Sequence, residues 1–459
     1  MMDDSNFGSD DEGDDSYSPD IGLDPIEMAG TPDRDPLRVA APAPSGSGWV
    51  VLSGPGAGST VLPAGSAAPG EYQLTTALPS LDEALSGKSP LMIVHCPHHH
   101  RGSIPRLLAS VVGASDSLLA IAAAVLLPSA AQPAHAQWLD SCQAASIRIA
   151  DPACYLRDAD LLKVKTINTY APKRVPYLLR DELDIAEVLD AQRAVGANLL
   201  LSSGQALDPA DAESSLDIAF EQADDALAQL GPAERLALNL TISQQWLANP
   251  ILRDALLARL IDQDQFDVWY IRVQWPSSLP TFHQPVDRKL LDGYKRLAQL
   301  ASDEDRVLLL PQTGLTGWLQ LGFGATGFGA SLAGAGHAFR EESRGGSGYV
   351  ERVQRYFEPL LLHTVERSAH AVVSADEQYT QCTCPYCPLL WSKPDWDHQL
   401  AELHHLYWMG RLAAIEVTTG RSRPAAVRRT ARAAQKAAAG LPLVGPNVPR
   451  HLPVWDQIL

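Results

Sequence analysis

The sequence predicts an α/β fold, a TIM-type (β/α)8 barrel, with a doubly wound open α/β sheet as the alternative. From about residue 90, short apolar or β-branched runs end in polar, Gly or Pro residues and are followed by helical stretches. That rhythm implies βαβ units, a parallel sheet and right-handed crossovers. The repeats keep a similar length over about 250 residues, the size of one such barrel. No phosphate-binding turn follows the first run, as a dinucleotide-binding open sheet requires.

Residues 1–45 are acidic and aromatic-poor, a composition that cannot bury enough surface to offset ordering entropy, and they are expected to be disordered. Of the formal net charge of −18, residues 1–40 carry −10, from twelve acids against Arg34 and Arg38. The overall charge therefore says little about the folded part. Residues 46–75 are rich in Pro, Gly, Ser and Ala and read as a linker or loosely docked arm, with Val50, Val51 and Leu52 as an insert.

The barrel is assigned to residues 76–375. Its strand candidates are residues 91–94, 147–149, 198–201, 236–242, 268–273, 306–310 and 327–332, with the eighth assigned to 371–373 or 414–417. Helical stretches fall at 184–195, 212–230, 251–261 and 286–301, the last with apolar residues recurring at three and four. The apolar run 118–127, between Arg106 and Ala134, has the order of a signal peptide. It lies a hundred residues into the chain and is shorter than the ~20 residues a spanning helix needs, so it reads as a buried Ala/Leu-rich helix. The chain opens acidic rather than basic and apolar, so no N-terminal signal peptide and no membrane partner are expected.

Chemistry concentrates in residues 376–420. Three of the six cysteines, Cys382, Cys384 and Cys387, fall at C-x-C-x-x-C spacing. So few cysteines in a long chain do not make a disulfide framework, and a reducing, cytoplasmic compartment is expected. Thiolates select zinc or an iron–sulfur cluster over hard cations, and Pro385 and Tyr386 supply a tight turn between two of the sulfurs. The fourth ligand is sought in the helical run 397–408, among His398, His404 and His405. On a helix His398 and His405, seven apart, share a face, while His404 points roughly 100° away.

C-x-C-x-x-C followed by a helix containing His404, His405 and Leu406 resembles the C-terminal zinc segment of the tRNA-guanine transglycosylases and their DNA-modifying relatives, over residues 382–410. The resemblance implies a TIM barrel that exchanges a guanine for a 7-deazaguanine in tRNA or DNA, with zinc as cofactor. The family's zinc histidine would fall near Arg421. No histidine occurs between His405 and His451, and His405 is taken as the fourth ligand with Cys382, Cys384 and Cys387.

The resemblance also implies two aspartates, a nucleophile that attacks the ribose C1′ and a second acid ending an early strand. Asp151 stands where the early aspartate could be and is the catalytic candidate, followed by Pro-Ala-Cys-Tyr in place of the family's Ser-Gly-Gly-Phe-Gln. Later strands end in Asn239, Ser243, Gln244, Arg272, Gln274, Gln312 and Thr313, which hydrogen-bond well but are poor nucleophiles. A second catalytic carboxylate is not found.

Three further features are weighed. Residues 322–327 satisfy G-x-G-x-x-G, but late in the chain and ahead of more glycine; such a loop would offer N–H groups to a phosphate or a base edge. His95, Cys96 and His98 to His100 suit zinc or nickel as a tract, or a solvated loop. Residues 421–459 form a basic tail in which Arg421, Arg423, Arg428, Arg429 and Arg432 can neutralise phosphates. The acidic N-terminal segment carries the opposite charge and can compete for that surface.

Two functions follow: a divergent transglycosylase-like protein acting on or binding nucleic acid, or a non-catalytic zinc-stabilised barrel serving as a recognition or scaffold subunit. A metal-dependent hydrolase built on His95 and His98 to His100 is a third, requiring carboxylate ligands that the sequence does not reveal.

Overall fold

The computed structural model describes residues 38–39, 49–54, 57–63, 79–95, 108, 120–126, 139, 142, 145–164, 176–276, 284–331, 338–341, 355–377, 379–384, 386–392, 397–415 and 420–459. The acidic residues 1–37 and the tract 96–100 lie outside them.

Eight parallel strands form the central sheet: β1 (Leu91–His95), β2 (Ala120–Leu126), β3 (Ile147–Asp151), β4 (Leu200–Leu201), β5 (Leu236–Ser243), β6 (Val268–Gln274), β7 (Val307–Leu310) and β8 (Gly327–Ser331). Strands adjacent in sequence pair, except at the β3/β4 junction, and β8 returns to β1 with Gly327 opposite Leu91 and Ser331 opposite His95. Backbone N–H groups of Asn198 and Leu199 donate to Arg148 O at 3.0 and 3.3 Å, drawing β4 toward β3. The sheet is a nearly closed barrel, as the α/β rhythm predicts.

The eighth strand is a correction. It is β2, inside the run read as a helix, whereas residues 371–373 belong to a helix, Arg367–Ser374. Ala414 caps the end of another helix, His398–Ala413, Ile415 is helical, and residues 416 and 417 lie outside the described residues. A strand buried on both faces is apolar throughout and shows no period-2 signal, so periodicity cannot separate it from a buried helix. A second difference lies in the presumed linker, where Trp49–Gly54 and Ala57–Pro63 pair antiparallel.

Alternation along the strands sends Leu91, Ile93, Ile147, Ile149, Val268 and Tyr270 into one buried interior cluster. Two residues further on, the same alternation places His95, Asp151 and Arg272 in the next layer, at the C-terminal mouth. Outside pack α1 (Ile185–Ala194), α2 (Ala212–Ala228), α3 (Pro250–Ile261), α4 (Arg288–Asp303) and α5 (Gly314–Leu321). α4 begins at Asp287, whose carboxylate accepts from Lys289 N–H at 2.8 Å, and buries Leu290, Tyr294, Leu297 and Ala301 along one stripe.

The glycine motif does not form a mouth loop. Gly322 caps α5 and Gly327 begins β8, so the turn enters the strand at the end opposite the mouth. Gly324 has φ +117°, and a Cβ there would lie 2.5 Å from Ser302 Cβ. Its glycine serves a tight approach of the turn to α4.

The C-terminal part adds the hairpin β9 (Arg355–Glu358) and β10 (His363–Glu366), then α6 (Arg367–Ser374), α7 (Cys387–Ser392), α8 (His398–Ala413), α9 (Arg423–Ala439) and α10 (Leu452–Ile458). It shares a core with the barrel, since Trp318, Phe328, Met409, Val427 and Trp455 belong to one buried cluster. Trp318 Nε1 donates to Leu412 O at 3.0 Å. No helix among the described residues is long and apolar enough to cross a membrane.

Candidate metal centre and barrel mouth

α8 starts at Asp397, whose carboxylate accepts from Leu400 N–H at 3.1 Å. Its apolar stripe, Leu400, Ala401, Leu403 and Leu406, faces the core and carries His404 with it, fully buried. His404 Nδ1 lies 3.2 Å from Cys384 Sγ, 3.3 Å from Cys387 Sγ and 3.9 Å from Cys382 Sγ. The four ligand atoms all lie within 4.8 Å of one another. On the other side of the ring, Nε2 lies 2.7 Å from the Phe357 carbonyl of β9. A carbonyl only accepts, so Nε2 carries the proton and the Nδ1 lone pair is directed at the sulfurs.

The histidine that completes the candidate cluster is therefore His404 rather than His405. One residue of helix turns a side chain through about 100°, and His405 instead meets the Phe357 ring edge-on at 5.2 Å.

Crowding sets the three thiols apart in acidity. Hydrogen bonds from Cys384 and Cys387 hold the Cys382 thiol far below the ordinary range. The bond to Cys382 pushes Cys384 up to about 12, and Cys387 is driven higher still by Cys382 and Cys384. Three crowded sulfurs ionise together only if a cation takes up the charge. The cluster can thus hold a metal ion.

At the barrel mouth Arg272 is fully buried. Its guanidinium pairs with Asp151, donates from Nε to Gln312 Oε1 at 3.2 Å and from Nη1 to Thr241 Oγ1 at 3.1 Å, and lies 4.7 Å above the Tyr155 ring. Burial draws it down to about 9, which leaves it a cation at neutral pH. Asp151 is buried, with Oδ1 accepting the Ala153 N–H at 2.9 Å and Oδ2 facing Arg272.

His95, weighed as part of a metal tract, instead accepts the Gln312 N–H on Nε2 at 3.1 Å and is a neutral imidazole. A Cβ at position 329 would lie 2.7 Å from that nitrogen and 2.3 Å from Gln312 N, so Gly329 opens the space for both. Gln312 itself takes φ +50°, a strained conformation for a side-chain-bearing residue at this mouth. Burial, and then the Arg272 charge, hold His95 down at about 3 from an ordinary 6.5. Between these values the unfolded chain binds a proton that the folded chain refuses, so stability contributed by neutral His95 is complete above pH 6.5 and declines toward pH 3. In urea titrations across that range His95→Gln is expected to flatten the decline; an unchanged slope would refute it.

On α9, Ala426, Val427, Ala431 and Ala434 are buried while Arg428, Arg429, Arg432 and Lys436 are exposed, as is Arg421 just ahead of the helix. Arg423 donates to Lys88 O at 3.2 Å and Arg432 to Asp456 at 2.9 Å. The basic residues thus share one outer face.

No family model matches the sequence, and no curated protein matches it. Among solved structures, the chain is similar to one assigned as a fructose-1,6-biphosphate aldolase from Coccidioides immitis, at 11% identity over 75% of this chain and 95% of that one, with a TM-score of 0.32.

Proposed function

We propose that this protein is a zinc-stabilised TIM-type barrel that binds nucleic acid as a recognition subunit, a divergent counterpart of the tRNA-guanine transglycosylases that does not perform base exchange. The observation that carries this reading is the engagement of Asp151. Covalent displacement at a ribose carbon requires a carboxylate oxygen free to attack, and Asp151 commits one oxygen to Ala153 N–H and the other to Arg272. No other described barrel strand ends in a carboxylate.

Three thiolates and one imidazole are a donor set of structural zinc. The exposed face of α9 supplies the charge for phosphate contacts, in a protein whose net charge would otherwise repel nucleic acid.

The test combines binding and chemistry. Fluorescence anisotropy with tRNA and with duplex DNA over a salt series should show salt-dependent binding, and Arg428→Ala and Arg429→Ala should each reduce the slope of log K against log salt by about 1. Labelled guanine should not enter either nucleic acid. A covalent adduct that disappears in Asp151→Asn would overturn the recognition reading in favour of base exchange. Slopes unaffected by the arginine substitutions would remove α9 from the interface.

A further inference from the structure

A buried site of three thiolates and a divalent ion carries a net charge of −1. Moving that charge out of water is costly unless fixed hydrogen-bond donors face the sulfurs. The chain supplies such donors to each sulfur. Cys382 receives the Cys384 backbone N–H at 3.4 Å and the Trp408 indole Nε1–H at 3.2 Å. Cys384 is held by the Tyr386 backbone. Cys387 lies 3.2 Å from Tyr356 Oη, and since a metal-bound thiolate has no proton, the phenol is the donor there.

Two of these donors are side chains placed by the elements that hold the histidine. Trp408 lies four residues beyond His404, on the same face of α8 one turn later. Tyr356 stands on β9 beside Phe357, whose carbonyl orients His404, and its ring stacks on the His404 imidazole at 4.2 Å and 16°. Trp391 also packs against Tyr356, with ring centroids 4.8 Å apart. Each ring is fixed by packing, so each donor is aimed in advance.

The distribution follows exposure. Cys384 and Cys387 are almost wholly buried, while Cys382 is only partly so and is the most accessible cysteine of the three. It is also the one with two N–H donors. A donor withdraws electron density from sulfur, so the accessible thiolate is the most strongly quenched.

We propose that Trp408 and Tyr356 are positioning residues of the metal centre, whose bonds to Cys382 and Cys387 hold the ion tightly and keep the accessible thiolate unreactive. The inference rests on the zinc reading above and adds to it which residues outside the ligand set fix the affinity.

The full chain, loaded with zinc, is titrated with a chromogenic chelator beside Trp408→Phe, Tyr356→Phe, the double variant and His405→Gln. Substitutions in the shell around metal ligands typically cost 10- to 100-fold in affinity. Each single variant is expected to bind zinc about 10-fold more weakly and the double about 100-fold, with His405→Gln unchanged. In cobalt-substituted protein the sulfur-to-metal charge-transfer band should move to lower energy in both single variants, because an unshielded thiolate is easier to oxidise; a merely structural role would not move it.

Wild-type affinity and an unshifted band in both variants overturn the inference while leaving the zinc reading intact. A wild-type chain that takes up neither metal overturns both. Should Trp408→Phe unfold, Tyr356→Phe decides alone, since it removes a single oxygen.

Discussion

Arg272→Met is expected to destabilise the protein by about 3–5 kcal/mol, the cost of leaving a buried charge without its partner. The side chain joins four segments, pairing with Asp151 of β3 and reaching Thr241 of β5 and Gln312 beyond β7 from its own place on β6. Removing it strands Asp151 in the layer above Ile149 and Tyr270, where solvent does not reach. Adding Asp151→Leu should recover much of the loss, because a buried ion pair replaced by apolar residues of similar volume is often neutral or better. Asp151→Asn should cost less than Arg272→Met, since the amide oxygen still accepts from Ala153 N–H and Arg272 keeps Gln312 and Thr241. Unfolding free energies from urea titrations of the wild type, Arg272→Met, Asp151→Leu and their double variant give the coupling energy directly. A coupling near zero would mean that Asp151 is free of Arg272 in solution, and the case against base exchange would fall with it.

Much of the barrel was legible because its signals are local. Seven strands announce themselves as short apolar runs broken by polar ends, and α4 by its stripe of Leu290, Tyr294 and Leu297. β2 was not, because Ala122, Ala123 and Ala124 are all buried, some facing the interior and some the surrounding helices, so no alternation of polarity survives. The cysteines of the cluster were legible where β2 was not, because their spacing carries the signal within a few residues. The choice between His404 and His405 depends on which face of α8 lies against β9, a tertiary fact. The stripe Leu400, Ala401 and His404 carried a hint of it at spacings of three and four. The mouth was the least accessible to sequence. His95, Asp151, Arg272 and Gln312 are brought together only by barrel closure, and nothing near Arg272 in sequence identifies its partner.

Removing the metal is expected to reach well beyond the knuckle. The ion would join residues 382–387 to α8, and α8 to β9 through His404 and Phe357. Tyr386, Leu390, Leu400 and Met409 then continue into the cluster that holds Trp318 and Phe328 of the barrel. Binding stabilises the folded chain by about 4 kcal/mol when free metal exceeds its dissociation constant a thousandfold. Chelation should therefore lower the thermal midpoint, and Cys384→Ser and His404→Ala should show the same low midpoint with no further response to chelator. Elemental analysis should find one zinc per chain in the wild type and in His405→Ala, and none in His404→Ala. If His405→Ala loses the metal while His404→Ala retains it, the assignment of the fourth ligand is wrong. If chelation strips the zinc and the midpoint does not move, the centre does not stabilise the barrel. Stabilisation is what the shared core demands: Trp318 packs within 6.3 Å of Trp455 and hydrogen-bonds Leu412 at the end of the helix that carries His404. A loosened α8 would withdraw a partner from a fully buried indole of α5, and the barrel wall would register the loss.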